Sequence, residues 1–335
     1  MGNRHGLTAR HLPEVRAELV QWLADPGPGG GPAVWSEGLD PQEAATEQQA
    51  AATWSTSLAS AELFFIATDM TRLAISAGLA LPAYRLHPEE LPAPHGLLVW
   101  EEPVTDAYDS ADQVGCPIIA VSWAVHGARV HLRTWTHRDV WIADMANGSP
   151  ETGLAPMTAA EVRDLRRRYP QPLVCMSQAR LPFDKVPGWL SSMPDDTSNL
   201  SLAELEAHSR AGTRQEQLER ALLVTWLLMG QTLAREEETQ APRSSVKGIR
   251  RISPDLLTTV RYVQLRHQKI PGQGGTAETG PGRGYKHRWV VRGHWRNHWY
   301  PLRGANRPIW IESHLKGPDG APLLDPGKLV NVLRR

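Results

Sequence analysis

Between Tyr285 and Leu315 the chain reads YKHRWVVRGHWRNHWYPLRGANRPIWIESHL, in which cations, imidazoles and indoles alternate at a density that core packing does not call for. Arg288, Arg292, Arg296, Arg303 and Arg307 interleave with Trp289, Trp295, Trp299 and Trp310, and His287, His294, His298 and His314 fill the gaps. Guanidinium forks match phosphate oxygens, and aromatic faces stack on unpaired bases. The chemistry expected of the stretch is contact with nucleic acid, with RNA the first choice. Arg288, Arg292, His294, Trp295, Arg296, His298, Trp299, Arg303 and Arg307 are the candidate binding residues.

A second chemistry would use fewer of these groups. A neutral imidazole can accept a 2′-hydroxyl proton and an arginine can stabilise the phosphorane, so Arg292 with His294 or His298 could form a metal-independent ribonuclease. Such a motif is usually helical, and Gly293 stands in the middle of this one. Metal binding by His287, His294 and His298 would also need a helix, whereas Val290 and Val291 favour a strand, on which residues four apart share a face but lie about 13 Å apart. The two cysteines, Cys116 and Cys175, cannot build a zinc site and read as small buried residues of a reducing compartment. No metal or cofactor is therefore expected, and no phosphate-loop, HExxH or Gly-x-Ser-x-Gly motif is present.

Charge divides the chain in the same place. Residues 1–242 hold 18 Lys and Arg against 31 Asp and Glu, a formal −13, while residues 243–335 hold 18 against 5, a formal +13. Such an asymmetry points to a segment that faces nucleic acid or an acidic partner rather than to a uniform globule. No apolar run reaches the roughly 18 residues of a membrane span, the N-terminus lacks the apolar block of a secretory signal, and Gly6 replaces the Ser or Thr of a myristoylation site. A cytoplasmic location without membrane contact is expected.

The elements that must position these groups follow from periodicity. Leu12, Val15, Leu19, Trp22 and Leu23 give a helix over about 8–24, broken by DPGPGGGP, and a second helical region spans about 41–79. Apolar runs at 97–100, 118–125, 130–135 and 140–143 predict an antiparallel meander with a turn at His126-Gly127. In its third strand Val130, Leu132 and Thr134 share one face and His131, Arg133 and Trp135 the other. Thr158 and Glu161 form a capping box for a short helix, and a long helix runs from Ser201 to about Arg235, closing in the charge run Glu236–Glu238. Beyond it, APRSSVKGIRR reads as a basic linker, 258–266 as a strand, 271–284 as a flexible Gly-rich loop, and 287–292 and 307–312 as two further strands. The fold class expected is α+β: helices packed on an antiparallel sheet, with a basic, Trp-rich C-terminal β module.

The stretch His287-Arg288-Trp289-Val290-Val291-Arg292-Gly293-His294-Trp295-Arg296-Asn297-His298-Trp299, followed by Arg307-Pro308-Ile309-Trp310-Ile311, resembles the C-terminal signature of the type V-A anti-CRISPR family that lowers production of the CRISPR effector nuclease. Members share an Arg-Gly-His-Trp core followed by an apolar strand, and similar proteins occur on plasmids and phages. The likeness covers about thirty residues, and upstream only the order and character of the elements agree. It implies a non-enzymatic inhibitor, carried on a mobile element, that engages a ribosome–nascent-chain complex and causes loss of the corresponding mRNA. A DNA-binding regulator of a mobile element is a further alternative to this reading and to the ribonuclease.

Overall fold

The computed structural model of the chain describes residues 6–105, 108–110, 113–148, 155–188, 201, 204, 214–266, 287–301, 304–318 and 321–322. Its centre is a seven-stranded mixed sheet. The strands are β1 (Glu62–Ile66), β2 (His95–Trp100), β5 (Ala120–His126), β6 (Arg129–His137), β7 (Leu173–Pro182), β8 (Ala234–Gln240) and β9 (Thr259–Leu265), in the order β7-β6-β5-β2-β1-β9-β8. A short antiparallel pair, β3 (Tyr108–Ser110) and β4 (Gln113–Cys116), lies apart from it. β1 runs parallel to both β2 and β9, and every other neighbour in the sheet is antiparallel.

Helices cover both faces. On one, α4 (Thr68–Gly78) and α7 (Arg214–Met229) bury Met70, Ala74, Leu222 and Trp226 against Phe64, Leu98, Trp123 and Leu132. On the other, α1 (Leu12–Ala24) and α3 (Pro41–Ala59) bury Leu19, Leu23, Trp54 and Leu58 against Leu63, Phe65, Leu97 and Trp135. A short helix, α2 (Gly31–Trp35), follows the Gly-Pro break, and α5 (Arg138–Asn147) and α6 (Ala159–Arg168) fill the connection from β6 to β7. The split of Val130 and Leu132 from Trp135 is the alternation read from β6. The Thr158–Glu161 box opens α6 with both of its hydrogen bonds made.

The α+β class holds, and several of its elements differ from expectation. The helical region at 41–79 is two helices with β1 between them. Leu63 to Ile66 is an unbroken apolar run because a strand flanked on both sides is buried on both faces, and periodicity does not separate such a run from a buried helix. This strand makes the sheet mixed rather than antiparallel: joining β1 to the parallel β2 requires a crossover, and α4 is that crossover. Glu101, just past β2, accepts from the backbone N–H of Thr68 at 2.9 Å and from its hydroxyl at 3.0 Å, closing the helix's N-terminus with the chain's own carboxylate. Residues 140–143 are helical, within α5, which the His137 ring caps through the N–H of Asp139. Glu236–Glu238 lie on the edge strand β8, not at a helix end; charge there blunts an open sheet edge.

The compositional boundary at 242 falls between two strands that pair with each other. β8 precedes it, β9 follows it, and β9 also pairs with β1. The stretch expected as a linker is helix α8 (Arg243–Ile252), whose Ile249 is buried beside Ala17 of α1. The Gly-rich loop at 271–284, Asp195–Asn199 and most of the predicted helix N-terminal to Arg214 lie outside the described residues.

One buried cation ties the α1–α3 layer together. The Arg16 guanidinium, fully buried, donates to the carbonyls of Leu58, Ala59 and Ala61 at the C-terminal end of α3 and to that of Leu257. The side chain thus acts as a cap on the end of α3 from across the layer.

Candidate nucleic-acid interface

The Trp-rich segment forms two separate antiparallel ladders. β10 (Trp289–Val291) pairs with β13 (His314–Lys316), and β11 (His294–Tyr300) pairs with β12 (Ala305–Ile311). Strand β11 was not foreseen, because the Arg/His/Trp mixture of its residues hides a period-2 pattern. Gly293 separates β10 from β11: a Cβ there would lie 2.5 Å from the Trp310 ring, so only glycine fits under the indole at the break between the strands.

The base of the β11–β12 hairpin is clamped to the body. Trp295 is buried among the residues of α4 and α7, and its indole N–H donates to the carbonyl of Ala77 at 2.8 Å, near the end of α4. Trp310, its cross-strand partner, meets it edge to face with ring centroids 5.3 Å apart. The backbone N–H of Trp310 donates to the Gln231 side-chain carbonyl at 3.1 Å, just past α7. Arg307 pairs at 3.1 Å with Glu90, whose side chain is 2% exposed and whose other oxygen accepts from the N–H of His87. Two residues nominated as ligands for RNA, Trp295 and Arg307, are thus bound inside the protein. Trp289, in β10, is half-buried.

The far half of β11 is open. Arg296, Asn297, His298 and Trp299 are exposed, Trp299 at 52%, and Arg292 is exposed just before the strand. Alternation places Trp299 on the face of Trp295, and Arg296 with His298 on the opposite one. The His298 ring stands edge to face with Tyr300, centroids 4.9 Å apart. His294 is half-buried and shares a hydrogen bond with the Arg292 carbonyl at 3.0 Å. Arg288 is half-buried, its Nε donating to the carbonyl of Ala321 at 2.9 Å, and Arg303 lies outside the described residues.

What this surface can do chemically is narrower than its composition allows. His294 and His298 sit four apart on one strand, about 13 Å, which is too far for a general base and a general acid to flank one phosphodiester. Among the described residues no three His, Cys, Asp or Glu side chains converge as a metal site. The arrangement suits binding: an exposed indole for stacking, with exposed arginines within the same strand and at its entry.

Sequence reasoning missed a second basic surface. On α8, Arg243, Lys247, Arg250 and Arg251 are exposed while Val246, Ile249 and Ile252 face the body. The i, i+3, i+6 spacing of those three apolar residues was the available signal. No helix among the described residues is long and apolar enough to cross a membrane. Comparison with protein-family models, with curated proteins and with solved structures finds no match to the chain.

Proposed function

We propose that the C-terminal hairpin binds single-stranded RNA without cleaving it. Trp299 stacks on a base, and Arg292, Arg296 and His298 meet the sugar–phosphate backbone. The observation that carries this reading is the contrast within one strand: Trp295 is spent on anchoring the hairpin, while Trp299, on the same face, is left 52% exposed, with exposed arginines at 292 and 296 in the same segment. An exposed indole of this kind contributes nothing to the core and is worth about 1–3 kcal/mol per stacked base.

On this reading the likeness to the anti-CRISPR family supplies a context, in which the acidic body takes a nascent polypeptide and the hairpin contacts the RNA of the translating complex. Fluorescence anisotropy with a labelled single-stranded RNA tests the first step. Affinity should fall as salt rises, since each neutralised phosphate releases counterions, and Trp299→Ala and Arg296→Ala should weaken it. An intact chain without measurable RNA affinity at low salt would refute the proposal. Sequencing of the RNA and peptides that co-purify with the protein tests the translational context.

A further inference from the structure

On the sheet face opposite the hairpin, five cationic or protonatable side chains gather where the helical cover ends. Register places His95, Ala124, His131 and Arg180 in one cross-strand row over β2, β5, β6 and β7, and His126 opposite Arg129 beside it. These positions share the face of Leu97, Ala120 and Trp135, the side covered by α1 and α3. α3 stops at Ala59, and the Ser60 hydroxyl lies 2.7 Å from Nδ1 of His95, which marks the limit of the cover. Past that limit the small side chain of Ala124 is the floor between His95 and His131, His126 and His131 meet edge to face with centroids 5.0 Å apart, and Arg129 and Arg180 stand exposed.

Among the described residues no carboxylate pairs with the group. Burial holds His95 and His131 below the usual imidazole range, and every charged or titratable neighbour that acts on them pushes the same way: His126 on both, and Arg180 and Arg129 on His131. Ser60 and Ala124 are uncharged, and Glu62, at the start of the neighbouring strand β1, is paired with Arg261 at 2.7 Å. The two exposed guanidiniums therefore stand beside imidazoles that their surroundings keep neutral, and an anion joining the group would favour the protonated rings.

We propose that this row is a phosphate-binding site, in which Arg129 and Arg180 fork to the phosphate oxygens and His126 and His131 donate to them once protonated. Two guanidiniums flanking a pair of imidazoles match a tetrahedral, multiply charged oxyanion better than a planar carboxylate. The phosphate could belong to a small phosphorylated ligand or to a nucleic acid. The site does not depend on the RNA-binding reading of the hairpin, which lies on the other side of the sheet.

The test is NMR titration of the histidine C2–H resonances in the full chain, assigned by His95→Gln, His126→Gln and His131→Gln, with inorganic phosphate at fixed ionic strength. An anion held within hydrogen-bonding distance should raise the titration midpoints of His126 and His131 by roughly one unit or more, saturably. The variant Arg129→Gln/Arg180→Gln, altered only at exposed positions, should keep its melting temperature and lose that response. Chloride giving the same shifts, or the double variant responding like the parent, would overturn the proposal. Two short oligonucleotides, one 5′-phosphorylated and one with a 5′-hydroxyl, then distinguish the sources. Competition by the phosphorylated strand alone assigns a terminal phosphate, and equal competition assigns the phosphodiester backbone.

Discussion

Replacing Trp295 and Trp299 separately should divide stability from binding within a single strand. Trp295 is 4% exposed, donates its N–H to Ala77 at 2.8 Å and packs edge to face on Trp310. Truncating a buried tryptophan to alanine costs about 3–5 kcal/mol, and here it also removes one hydrogen bond to a helix-end carbonyl. With an unfolding entropy of about 2.1 cal/mol/K per residue over the 335 residues of the chain, Trp295→Ala should lower the melting temperature by about 4–7 °C. Trp295→Phe, which keeps a ring but loses the N–H, should fall in between. Trp299, half in solvent, should change stability by less than about 0.5 kcal/mol when truncated, yet weaken RNA binding by about 1–3 kcal/mol, or about 5- to 150-fold. Calorimetry and anisotropy on the same preparations give both numbers. A stable Trp295→Ala, or a Trp299→Ala that loses stability and keeps its affinity, would refute the assignment of anchor and ligand.

Arg307→Met should cost about 3–5 kcal/mol in urea denaturation, because it removes the cation paired with the buried carboxylate of Glu90; adding Glu90→Gln should recover part of that loss. Burial holds His95, His131 and His137 below their ordinary titration range, so the folded chain binds these protons less tightly than the unfolded chain. Stability should therefore decline as the pH falls through the unfolded value near 6.5 toward the lower folded values, and His131→Gln/His137→Gln should flatten that decline in urea midpoints measured from pH 8 to 5. The Cys116 thiol, pushed up to about 12 by burial and by the Asp144 carboxylate 3.3 Å away, and the Cys175 thiol, also raised by burial, should resist alkylation at pH 8 in the native chain. Both should label once urea is added; rapid labelling of the native protein would contradict the packing described around them.

The sequence by itself determined the features that short-range chemistry fixes. The 3.6-residue spacing of Leu12, Val15, Leu19 and Leu23 set α1, the alternation of Val130, Leu132 and Trp135 set both faces of β6, and Thr158 with Glu161 set the start of α6. Each depends on residues within a turn or two of one another. Only the tertiary structure decided what depends on distant partners. Whether Leu63–Ile66 is strand or helix follows from β2 and β9 on either side of it, and whether residues after 242 form a separate module follows from β9 pairing with β1 and β8. The same holds for the candidate site. Trp295 and Trp299 are alike in type and phase, and the carbonyl that takes one of them out of solvent lies 218 positions away in the chain. Arg307 likewise reads as a phosphate ligand until Glu90 is placed against it. Local pattern fixes which side chains share a face; which part of that face is covered depends on what packs against it.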